Sequence, residues 1–123
     1  MNTKIMAADR AVSNSNGTNW LPTLQAATQR TRLYTLSYRN LTGSAVYLWL
    51  FDTAAGSSAS ASPVAVRQVA ANTDGVWDYE PGGKIFMAGL YIVAATGAPA
   101  AVTTTPTAAA NDAMILSADI RTL

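Results

Sequence analysis

"SAVYLWLFDTAAGSSASASP", residues 44–63, joins a dense apolar run to a stretch of almost nothing but Ala, Ser and Gly. In the run, Val46, Leu48 and Leu50 alternate with Tyr47, Trp49 and Phe51. A strand with one wet face would show polar residues at every second position, whereas an unbroken apolar run marks a strand buried on both faces. One face then belongs to the core. The other needs cover from elsewhere in the chain or from a partner. The small-residue half has no charge and no large apolar anchor, which is the composition of an exposed connecting loop.

The flanking sequence carries the same period. "LYTLSYR", 33–39, sets Tyr34, Leu36 and Tyr38 on one side and Thr35, Ser37 and Arg39 on the other. "PVAVRQVA", 63–70, is predicted to turn Val64 and Val66 inward. "NTDG", 72–75, is a turn of the Asp-Gly kind, and "VWDYE", 76–80, separates Trp77 and Tyr79 from Val76, Asp78 and Glu80. "PGGK", 81–84, is a hairpin signal, because Gly82 and Gly83 both tolerate positive φ. "KIFMAGLYIVAAT", 84–96, reads as a second long apolar strand bent near Gly89. A second small-residue loop, 97–112, holds at most a weak edge strand at "AVTTT". "AMILSADIR", 113–121, places Met114, Leu116, Ala118 and Ile120 on one face.

Short strands with recurring turn signals and no amphipathic helix predict an all-β chain. The expected fold is an antiparallel β-sandwich, of which the jelly roll is one form. Residues 1–31 lack a strong period and have Trp20 and Leu21 as their main anchors; "PTLQAATQR" has room for one or two helical turns behind Pro22. They are read as an extended N-terminal arm, and residues 32–123 as the sandwich domain.

The chain has 123 residues, of which 50% are hydrophobic and 12% charged. That charge is about half the usual share, so the surface is poorly protected against association. Cysteine and histidine are absent, which argues against zinc, copper and iron sites and leaves only oxygen-ligated ions such as calcium. No cofactor is expected. The opening apolar run is too short for a signal-peptide core, and no stretch approaches a membrane span. The sequons at Asn16 and Asn40 are read as chance matches. Charge is uneven: Lys4, Arg10, Arg30, Arg32 and Arg39 face only Asp9 in residues 1–39, whereas residues 40–123 hold three cations and six acids. A basic arm on a mildly acidic body follows.

Few patterns carry chemistry. A serine nucleophile lacks a histidine base, and neither lysine stands in an SxxK frame. "GGK" has no phosphate-cradling loop around it. Asp74, Asp78 and Glu80 interleave with Trp77 and Tyr79, a set able to cleave or bind sugar or to hold calcium if its members converge. Period-two geometry instead turns the acids to solvent and the aromatics inward. Arg30, Arg32 and Arg39 interleave with Tyr34 and Tyr38, but the near-neutral total argues against nucleic acid. The chain is read as no enzyme.

The order of these segments, "YLWLFD", a small-residue loop, "PVAV", "PGGKIF", "GLYIVAAT", a Thr/Ala loop and a last short strand, resembles small auxiliary structural proteins of tailed bacteriophages, the capsid decoration or cement type. The likeness covers about residues 44–97. It implies a jelly-roll-like virion protein on the capsid surface, made in the host cytoplasm. It also implies a homotrimer that clamps neighbouring copies of the major capsid protein, with no catalytic residues, nucleic acid or membrane involved. The two-sided apolar strand at 46–51 points the same way, since an uncovered face would need a second subunit. The residues expected to meet the partner are Lys4, Arg10, Trp20, Leu21 and Arg30 in the arm. The alternative is a carbohydrate-binding module or fibre or tail-tip protein using Trp77 and Tyr79, which requires Trp77 to be exposed.

Overall fold

The computed structural model describes residues 8–54, 62–99 and 105–123. Among these there are nine strands and no helix: β1 (Arg10–Ser13), β2 (Thr23–Ala27), β3 (Thr31–Asn40), β4 (Val46–Asp52), β5 (Ala65–Val69), β6 (Asp74–Asp78), β7 (Lys84–Phe86), β8 (Leu90–Ala95) and β9 (Met114–Thr122). One sheet runs β1-β9-β3-β6, with β7 also on β3; the other runs β2-β8-β4-β5. Every pairing is antiparallel. The pairs β1·β9, β2·β8, β3·β6/β7 and β4·β5 are those of one long hairpin, its tip between β4 and β5, wound into two facing sheets. That is the jelly-roll arrangement of a β-sandwich.

The intersheet core follows the alternation. Met114, Leu116, Ala118 and Ile120 are all buried, and they face Val46, Leu48 and Leu50 of the other sheet. On β3 the register slips between Leu33 and Thr35. This bulge lets Leu33 and Leu36 both enter the core, so the inward row is not the expected Tyr34-Leu36-Tyr38.

The outward face of β4 is buried too. Trp49, Phe51, Val93 and Ala95 form a second apolar cluster, edged by Tyr47, Val66 and Tyr91. Part of its cover is the chain after β8. The Trp49 indole N–H donates to the Gly97 carbonyl at 3.0 Å, Ala95 bridges Ala108, and Ala109 N–H reaches the Ala94 carbonyl at 2.8 Å. The two-sided strand therefore gives no ground for a trimer. Most of the small-residue loop, 55–61, and most of "AVTTT" lie outside the described residues.

Four expectations are corrected. First, there is no separate arm over the described part of residues 1–31: β1 pairs with β9 and β2 with β8. Second, Val64 is exposed, and Val66 lies opposite Trp49 on the outer cluster, so β5 has the opposite phase. Third, "PGGK" closes no hairpin. β6 and β7 lie end to end along the same edge of β3, and residues 79–83 loop out between them. Only Gly83 there has positive φ, at 75°, and a Cβ on it would come within 2.6 Å of Arg32 Cγ. In "NTDG" the positive φ falls on Asn72, at 53°, while Asp74 and Gly75 already belong to β6. Fourth, "KIFMAGLYIVAAT" is two strands in different sheets, because the chain crosses at 87–89. A Cβ on Gly89 would approach the Ala27 carbonyl to 2.6 Å, so only glycine fits the corner.

Asp52 holds that corner. Its carboxylate accepts the backbone N–H groups of Met87, Ala88 and Gly89 at 2.9, 2.8 and 3.3 Å. Burial raises its pKa, but the three N–H donors, with Lys84 nearby, outweigh this and hold it below the ordinary value. A depressed folded-state pKa stabilises the fold above the unfolded pKa and is lost as pH falls through the folded one. Asp52→Asn is expected to lower the melting temperature at neutral pH. The gap from the wild type should narrow below about pH 4. A gap unchanged in acid would show that the carboxylate charge does not hold the corner.

Candidate functional site

The carboxylates do not converge. Asp74, Asp78 and Glu80 are exposed, and Asp78 is spent on the Glu80 N–H at 2.7 Å. No group of three potential metal ligands occurs among the described residues. Trp77 is only 8% exposed, because it points between the sheets beside Leu36. It lies in a ladder that closes the sandwich edge. Arg67 of β5 sits 4.8 Å above its ring, Tyr79 stacks on it at 5.9 Å, and Lys84 lies 5.9 Å over Tyr79. Arg67 also donates to the Val76 carbonyl at 3.4 Å, joining the free edges of the two sheets. Burial pushes the Tyr79 phenol up, against the pull of Arg67. A sugar platform needs an exposed ring face, and Trp77 does not offer one.

A shallow groove of about 400 Å³ lies on the outer face of the first sheet, lined by Ser37, Arg39, Asp74, Val76, Ile115 and Ser117. Tyr38 also lines it, lying over Gly75, and the groove holds no convergent pair of carboxylates.

The sequence-predicted partner residues fall in different places. Lys4 lies outside the described residues. Trp20 and Leu21 are half-buried against their own domain. Trp20 N–H donates to Asp112 Oδ1 at 2.8 Å, Leu21 N–H to the Asn14 carbonyl at 2.9 Å, and Ser15 bridges Trp20. The Trp20 N–H and the Asn19 side chain hold the exposed Asp112 carboxyl below its ordinary pKa. The anchor thus docks intramolecularly.

Arg10 and Arg30 belong to a different grouping. Phe86, Thr31 and Thr122 share one rung across β7, β3 and β9, and Met87, Arg30 and Leu123 are the next residues out along the three strands. Leu123 N–H donates to the Arg30 carbonyl at 3.1 Å, which fixes this row. Arg32 and Arg121 face each other one rung inward, and Arg10 reaches Thr122 Oγ1 at 3.3 Å. Three of the six exposed large apolar residues among the described residues, Ile85, Met87 and Leu123, lie at this end, with Met87 64% exposed. Asp9 and Asp119 lie along the same strands, and Asp119 Oδ2 accepts the Thr35 hydroxyl at 2.5 Å. The result is a mixed apolar and basic rim.

Sequence reasoning singled out Arg10 and Arg30 but not Ile85, Met87 and Leu123. The first two had been assigned to a continuous core strand. What could have found them is the corner-forming "MAG", whose small residues suit a change of sheet and not a strand interior.

No protein-family model, curated protein or solved structure matches this chain.

Proposed function

We propose that this chain is a structural virion protein that binds a phage capsid and stabilises it by bridging neighbouring capsid subunits, and that it works by docking and not by catalysis. The observation that supports this best is the rim: exposed Met87, Ile85 and Leu123 set among Arg10, Arg30 and Arg121 at one end of the roll. Apolar side chains concentrated at one place on a soluble surface, with charge around them, are the makings of a protein interface. Because the roll covers both faces of β4 itself, the proposal requires no trimer.

The test mixes the purified protein with shells assembled from the major capsid protein encoded alongside it and measures co-sedimentation. The wild type is expected to pellet with the shells. Met87→Asp and Arg30→Glu should each weaken binding by about tenfold or more, the scale of a loss of 1.4 kcal/mol. Arg39→Glu, on the groove face, should not. Folded wild-type protein that stays in the supernatant would defeat the proposal. Equal loss from Arg39→Glu would defeat the assignment to the rim.

A further inference from the structure

We infer that Asn16–Gly17, in the tight turn between β1 and β2, is a site of spontaneous self-modification at which Asn16 loses its side-chain amide through a cyclic succinimide. The chemistry needs only the chain and water. The Gly17 nitrogen attacks Asn16 Cγ and gives up its proton, a new C–N bond closes the ring, and the bond to Nδ2 breaks to release ammonia. Water then opens the ring at either carbonyl, leaving aspartate or isoaspartate and one added negative charge.

The turn is arranged for the first step. In the tetrahedral intermediate, negative charge develops on Asn16 Oδ1. That atom already accepts two backbone N–H groups, from Thr18 at 2.9 Å and Asn19 at 2.7 Å. Two fixed donors aimed at a developing oxyanion are the device by which enzymes stabilise such intermediates. The attacking nitrogen belongs to a glycine with φ of 90°, so no Cβ hinders its approach, and nothing lies within 4 Å of where one would stand. Its N–H points to Ser15 Oγ at 3.1 Å, a polar route for the departing proton to exposed surroundings. The leaving nitrogen, Asn16 Nδ2, donates to no described residue.

Other asparagines have the opposite arrangement. Asn14 Nδ2 is buried and held by the Leu21 and Met114 carbonyls, both at 2.7 Å. Asn40 Nδ2 is held by the carbonyls of Ser44, Val69 and Ala70. Asn19 Nδ2 is held by Asp112. Asn72 precedes a β-branched threonine, and Asn111 precedes an aspartate. Among the described asparagines, only Asn16 combines a glycine neighbour, a held oxygen and a side-chain nitrogen that donates to no described residue.

The two products differ in what they do to the turn. Aspartate keeps both N–H partners and binds them more strongly as a carboxylate. Isoaspartate routes the main chain through an extra methylene. It should break the Asn16 N–H to Asn19 carbonyl bond, 3.1 Å long, and the Ser15–Trp20 bridge beyond it.

The experiment incubates the folded protein at mildly alkaline pH and follows each asparagine by peptide mapping, with enzymatic isoaspartate labelling. The same protein unfolded in urea serves as the reference. Asn16 is expected to convert about tenfold or more ahead of any other asparagine, and at least as fast folded as unfolded. Asn16→Asp, which mimics one product, should fold with a melting temperature no lower than the wild type's and release no ammonia from position 16, any isoaspartate there forming only by the slower loss of water from the carboxyl. Conversion first at another asparagine, or an Asn16 that the fold protects relative to urea, would overturn the inference.

Discussion

Trp49→Ala is expected to cost about 3–5 kcal/mol, a large share of the roughly 5–15 kcal/mol that holds a single domain folded. Trp49 is 1% exposed although it lies on the outward face of β4, away from the intersheet core. Its ring lies 6.1 Å from Phe51 and its indole N–H holds the Gly97 carbonyl at 3.0 Å. Truncation leaves a void in the outer cluster and frees a carbonyl of its cover in one change. The loss should be graded. Trp49→Phe keeps most of the apolar volume but not the N–H, so it should cost about 1–3 kcal/mol. Urea unfolding of the three proteins, with circular dichroism as the probe, checks this. A Trp49→Ala midpoint within error of the wild type would mean that the outer cluster contributes nothing. An intact midpoint together with new self-association would mean that a partner, and not the chain, normally covers this face.

That prediction also shows where the sequence was readable. The apolar run at 46–51 says correctly that β4 is covered twice, and the alternation from Met114 to Ile120 gives the inner face of β9 without error. These strands lie inside their sheets, where burial is decided by hydrophobic pattern alone. β5 is an edge strand, and there the pattern misleads. Val64 and Val66 look inward-facing by composition, but pairing with β4 sets the register, and Val66 is drawn to Trp49. Arg67 then occupies an inward position by laying its guanidinium over Trp77, which no period predicts. The crossing at 87–89 was hidden for a related reason. Phe86 and Leu90 are both buried, so the run looks continuous; the small pair Ala88–Gly89 is its one local signal, and the Asp52 carboxylate that holds the break is distant in sequence. At the rim, Met87 and Leu123 come to flank Arg30 because β7 and β9 pair with the two sides of β3, a consequence of the winding and not of any local signal.

Asn14→Ala is expected to cost about 3–5 kcal/mol, as much as removing a large core side chain, although it deletes only an amide. Residues 1–31 look like an arm because they lack an apolar period. Beside the pairings of β1 with β9 and β2 with β8, their described part is fastened to the roll by this one buried polar side chain, 2% exposed. Its Oδ1 accepts the Leu116 N–H at 2.8 Å, and its Nδ2 donates to the Leu21 and Met114 carbonyls at 2.7 Å each. The amide thus stands between β9 and the segment that carries Trp20 and Leu21. Alanine would strand one donor and two acceptors, each worth about 1–3 kcal/mol if left unsatisfied. Asn14→Asp is the sharper comparison. It is nearly the same size and keeps the acceptor for Leu116, but it replaces a double donor with a buried charge facing two carbonyls. It should be no better than alanine at neutral pH and should recover in part in acid, where the protonated carboxyl again donates. Hydrogen exchange locates the effect: amides of β1 and the Leu21 N–H should lose protection before those of β3 and β4. If Asn14→Ala unfolds within about 0.5 kcal/mol of the wild type, the segment is held by its strand pairings alone and the amide is incidental. If protection is lost uniformly across both sheets, Asn14 is part of the global core and not the fastening of its N-terminal strands.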